Sequence, residues 1–133
     1  MSNRHPALAT REDAGLVIID VQDAFAPVID GFDDVVANCG LLAEGFGVMG
    51  RPVIVTEQYP KGLGHTVAPL ADRLPDGTPV IEKTRFSACG VEGFEEAYDA
   101  ARCDTWVVCG VESHVCVNQT VHDLLSRGAS VHV

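Results

Sequence analysis

Leu16-Val-Ile-Ile19 and Trp106-Val-Val-Cys109 are short apolar runs with no polar residue at alternate positions. A strand with one wet face alternates in polarity. A brief run that is apolar throughout and rich in β-branched residues reads instead as a strand covered on both faces, the setting of a parallel sheet between helical layers. The rest of the chain fits that frame. Ala14 to Asp20 and Thr105 to Cys109 read as the first and fourth strands, Arg51 to Thr56 as the second, Pro79 to Lys83 as the third, and Ala129 to Val133 as the start of a fifth. Between them, residues 32–49 and 90–101 carry helical patterns, and Val117, Val121, Leu124 and Leu125 predict a helix beginning near Ser113 to Cys116. Gly128 stops that helix as a C′ glycine. Residues 57–70 hold two prolines and two glycines and read as a long loop closing into a short helix around 69–74, and residues 1–13 read as a loosely held lead-in. Strands alternating with helices call for right-handed crossovers. The expectation is an α/β, three-layer αβα fold with a doubly wound parallel sheet, one domain over residues 1–133.

In such sheets ligands bind beyond the carboxyl ends of the strands. The first strand ends on Asp20, the third on Lys83, and the fourth leads one turn later to Cys116 at a helix N-terminus. A base, a cation and a nucleophile are thus expected at one rim, provided Lys83 reaches inward from its strand. Free cysteines are most often small buried apolar groups. A thiol at a helix N-terminus, though, faces unpaired N–H groups and the positive end of a dipole, which lower its pKa and favour the thiolate. His114, Cys116 and His122 do not make a metal site, because residues two and six apart fall on different helix faces.

Composition narrows the partners. A net charge of −10 without a basic cluster argues against nucleic acid and anionic membranes. No apolar run approaches the ~20 residues of a membrane span, and the start lacks a signal peptide's apolar core. Five cysteines without CxxC spacing fit no disulfide framework or zinc ribbon, and point to a reducing cytoplasm.

The stretches Leu16-Val-Ile-Ile-Asp-Val-Gln-Asp-Ala-Phe25, Val80-Ile-Glu-Lys-Thr-Arg-Phe-Ser-Ala88 and Val108-Cys-Gly-Val-Glu-Ser-His-Val-Cys-Val117 together resemble the isochorismatase-like cysteine hydrolases, the group that includes nicotinamidases and N-carbamoylsarcosine amidohydrolase. The resemblance implies that Asp20, Lys83 and Cys116 form a catalytic triad, and that a cis peptide joins Val111 to Glu112. It also implies that the Glu112 and Cys116 N–H groups share an oxyanion position. Phe25, Tyr59 and Phe86 are candidate walls of a substrate pocket. Where nicotinamidases carry an Asp-x-His metal motif, this chain has Glu57-Gln58-Tyr59, so neither a metal nor any other cofactor is expected. The loop from Thr56 to His65 looks more like the isochorismatase-domain branch. Family members usually continue past a fifth strand, so this reads as a C-terminally short form. An open sheet edge and apolar surface would then be covered by association, which implies a homo-oligomer.

The expected reaction is hydrolysis of a small-molecule amide-type C–N bond through a thioester on Cys116, with Asp20 as acid and base and Lys83 as the cation beside it. Two rivals stand. An isochorismate-type vinyl ether hydrolase needs protonation by Asp20 and no cysteine. A catalytically silent oligomeric binding or scaffold protein needs neither.

Overall fold

The computed structural model describes residues 3–133. The lead-in is pinned at its end, where the Asp13 carboxylate accepts the Asp104 N–H at 2.8 Å; Met1 and Ser2 lie outside the described residues. Five parallel strands follow: β1 (Ala14–Ile19), β2 (Val53–Gln58), β3 (Val80–Lys83), β4 (Thr105–Gly110) and β5 (Ser130–His132). Their order is β3-β2-β1-β4-β5. The chain therefore builds outward from β1 to β3, returns, and builds outward again from β4, which makes β1 and β4 the point where strand order reverses.

Because both faces are covered, alternate residues of one strand feed two cores. Leu16, Ile18, Val53 and Val55 pack against Phe32, Val36, Cys39, Ala43 and Phe46 of α1 (Phe32–Val48). Val17, Ile19, Ile54, Trp106 and Val108 pack on the other face against Phe94 of α4 (Glu92–Ala101) and Val117 and Leu124 of α5 (Cys116–Ser126). The unbroken apolar runs are thus read correctly as doubly covered strands. Two glycines are required by close approach. Trp106 lies fully buried over Gly15, where an added Cβ would stand 2.6 Å from the indole ring. Gly110 ends β4 at φ +117, and a Cβ there would sit 2.1 Å from the Ile19 carbonyl oxygen.

β2 differs from its expected span, starting at Val53 and running on through Glu57 and Gln58. Those polar residues look like loop, yet they continue the ladder, Glu57 opposite Glu82 and Gln58 opposite Lys83. The buried Gln22 amide completes it. Its Oε1 accepts the Gln58 N–H at 2.7 Å, and its Nε2 donates to the Gln58 and Gly64 carbonyls at 2.9 and 2.7 Å. The segment read as a loop then holds two single-turn helices, α2 (Pro60–Leu63) and α3 (Ala68–Ala71). Gly128 takes φ +84 just past α5, as a C′ glycine does.

Candidate active site

Asp20 follows the last residue of β1 and is the first to leave the ladder. Its backbone is left-handed at φ +55, a conformation disfavoured for a residue with a Cβ. Two bonds hold it there: its N–H donates to the Thr56 carbonyl at 3.1 Å, and the Thr56 hydroxyl donates to its Oδ1 at 2.8 Å. Its other oxygen, Oδ2, accepts from Lys83 Nζ at 2.8 Å, with both side chains buried. Lys83 sits on the edge strand β3, so its side chain crosses the end of β2 to make that pair.

The ammonium is fully surrounded. Besides Asp20 it meets Gln58 Oε1 and the Phe86 carbonyl at 2.8 Å and the Arg85 carbonyl at 3.2 Å. Three N–H bonds facing four acceptors leave no proton to give to a substrate. Lys83 is a fixed charge. A buried ion pair is costly to form from hydrated ions, and here Gln58 and two carbonyls complete the ammonium while Thr56 adds a second donor to the carboxylate.

β4 delivers the third group. After Gly110, the Val111 N–H donates to the Ile19 carbonyl at 2.9 Å, which ties the turn to the end of β1 beside Asp20. The Val111–Glu112 peptide is cis. Cys116 opens α5, and its thiol is buried, 7% exposed. Among the described residues, the N–H groups of Glu112 and Cys116 donate to no carbonyl. The start of α5 has no side-chain cap.

The Cys116 thiol interacts with both members of the ion pair. Burial first, then the hydrogen bond and negative charge of Asp20, push its pKa up to about 11, while Lys83 pulls the other way. This corrects the expectation of a lowered pKa. The helix terminus and the ammonium act on a sulfur that has lost its water and faces a carboxylate, and those two effects win. Near neutral pH the Cys116 thiol therefore keeps its proton.

The aromatic candidates divide. Phe25 is partly buried and packs against the α1-side core. Tyr59 and Phe86 are about half exposed on either side of Lys83. A cleft of about 400 Å³ opens between Tyr59 and Lys61 on one side and Lys83 to Arg85 on the other. A second of about 310 Å³ lies against Phe86 and Gln119. Another, of about 360 Å³, lies at the opposite end of the strands against Arg51 and Pro79, away from these groups. Glu57 is also buried, but its oxygens are taken by Thr66 N–H, the Thr66 hydroxyl and His65 Nδ1 at 2.5, 2.7 and 3.0 Å. Burial opposes its charge, yet those donors hold its carboxyl below the usual range.

Sequence reasoning missed Thr56, Gln58 and Gln22 as partners of this site. The one available signal was their position: Thr56 and Gln58 are two apart at the carboxyl end of a strand, hence on one side of it.

The model of the isochorismatase domain matches residues 14–133. The isochorismatase domain-containing protein 1 of Salmo salar is 41% identical over 114 residues, an alignment that takes in 86% of this chain and 40% of that protein. A solved structure of MAR1 ribonuclease from Caenorhabditis elegans superposes with a TM-score of 0.88 at 39% identity, over 94% of this chain and 64% of that one. An isochorismatase from Pseudomonas putida gives a TM-score of 0.81 at 27% identity, over 92% of this chain and 69% of that one. The chain thus spans less than two thirds of the salmon and nematode proteins.

Proposed function

The chain belongs to the isochorismatase family of hydrolases, and from that premise we propose that it cleaves a small amide-type C–N bond through a thioester on Cys116. The observation that carries this reading is the thiol of Cys116 beside a buried carboxylate that is itself paired with Lys83 at 2.8 Å. A thiol with a pKa of about 11 is not ionised near neutrality, so attack has to be coupled to loss of the proton. Asp20 is the acceptor at hand. The sulfur attacks the carbonyl carbon as its proton passes to Asp20, and the carbonyl oxygen becomes an oxyanion facing the Glu112 and Cys116 N–H groups. A donor of that kind is worth about 2.7–4 kcal/mol in the transition state. Collapse breaks the C–N bond, with the proton on Asp20 leaving on the amine. Asp20 then takes a proton from water as its oxygen attacks the thioester; collapse breaks the C–S bond, releases the acid, and returns the Asp20 proton to the sulfur. Lys83, with no N–H to spare, acts throughout as a fixed counter-charge to Asp20.

The nematode protein is described as a ribonuclease. A chain with a net charge of −10 has no electrostatic footprint for RNA, which supports a small substrate instead. Ammonia or amine release across a panel of small amides and ureas tests the reading. Both Cys116→Ala and Asp20→Asn are expected to lose at least about a thousandfold in kcat/KM. Undiminished turnover in Cys116→Ala would refute the nucleophile, and cleavage of an isochorismate-type vinyl ether that survives Cys116→Ala but not Asp20→Asn would instead mark a vinyl ether hydrolase.

A further inference from the structure

The end of β2 splits its side chains between two tasks. Thr56 and Gln58 turn toward the Asp20–Lys83 pair, while Glu57 between them turns to His65 and Thr66. Thr56 is fully buried and grips Asp20 at two points, the backbone N–H at 3.1 Å and Oδ1 at 2.8 Å. Lys83 holds the other carboxylate oxygen at 2.8 Å. With one donor on each oxygen the plane of the carboxylate is fixed, and each oxygen keeps lone-pair capacity for a further donor. Gln58 makes the matching contact on Lys83, so β2 braces both members of the pair.

We propose that Thr56 is the positioning residue of this site: by holding Oδ1 its hydroxyl keeps the Asp20 carboxylate turned so that a free lone pair meets the Cys116 thiol. The proposal rests on the reading of Asp20 as the base for Cys116. Released from Thr56, the carboxylate turns onto Lys83 and its hold on the thiol weakens. An isosteric valine would fill the same space and keep the backbone bond, so packing alone does not account for a threonine here.

The test reads the thiol directly and needs no substrate. Alkylation of Cys116 by iodoacetamide is followed by mass spectrometry of its peptide from neutral to strongly alkaline pH, in the wild type, Asp20→Asn, Thr56→Val, Thr56→Ala and Thr56→Ser. Asp20→Asn should bring the midpoint down toward the ordinary value of 9.0. Thr56→Val should shift it the same way by about one pH unit. Thr56→Ala serves equally if the valine fails to fold, and Thr56→Ser, which keeps the hydroxyl, should restore the wild-type profile. If Asp20→Asn moves the midpoint while the valine and alanine variants superpose on the wild type or shift upward, the assignment of Thr56 is overturned and the base reading stands. If Asp20→Asn leaves the midpoint in place, the base reading itself fails, and this inference with it.

Discussion

At the scale of single residues, the site is an arrangement of charges more than of reactive groups. Cys116 owes its high pKa to burial and to Asp20, and that has a thermodynamic consequence. The folded thiol ionises near 11 and the unfolded one near its ordinary 9.0. The contribution is therefore fully present below pH 9.0 and is lost as pH climbs through about 11, because only the unfolded chain ionises easily in that window. Lysines and tyrosines also titrate there, so the difference between variants isolates the effect. The thermal midpoint of the wild type should fall more steeply over that range than that of Cys116→Ala. Parallel slopes would mean that the thiol is not held neutral. The sign of this shift was not legible in the sequence. A helix N-terminus is a local feature and can be read from spacing, whereas the carboxylate that outweighs it comes from a residue 96 positions away. Asp20, Lys83 and Cys116 stand out as candidates for a different reason: Asp20 and Lys83 end their strands and Cys116 opens the helix after one, where a parallel sheet gathers its ligands.

At the scale of elements, the decisive junction is the end of β4 against the end of β1. Gly110 pairs with Ile19 in register, and its missing side chain is what lets the turn carrying Val111 and Glu112 dock beside Asp20. Gly110→Ala forces either that turn or β1 to move, at a cost of about 3 kcal/mol. Chemical denaturation should show that loss, and alkylation of Cys116 should lose its alkaline midpoint as the thiol and carboxylate separate. Stability within about 0.5 kcal/mol of the wild type would contradict the close approach. Strand and helix order were readable because apolar runs and helical spacing are local patterns. The end of β2 was not. Glu57 and Gln58 are polar enough to look like loop, and they stay in the sheet because Thr66, His65 and Gln22 satisfy them from outside the strand.

At the scale of the whole molecule, two cores on opposite faces fix a sheet whose strand order reverses between β1 and β4, and Asp20 and Lys83 pair beyond the carboxyl ends of its strands. β3 and β5 form the two edges of that sheet. Among the described residues no helix is long and apolar enough to cross a membrane. The account depends on a sulfur that can reach a carbonyl carbon while backbone donors receive the oxygen. Incubation with a carbon-13-labelled small aldehyde, observed by NMR, tests this most directly, because the adduct mimics the first tetrahedral intermediate. A thiohemiacetal on Cys116 is expected in the wild type and none in Cys116→Ala. No adduct in the wild type, or the same adduct in both proteins, would contradict it.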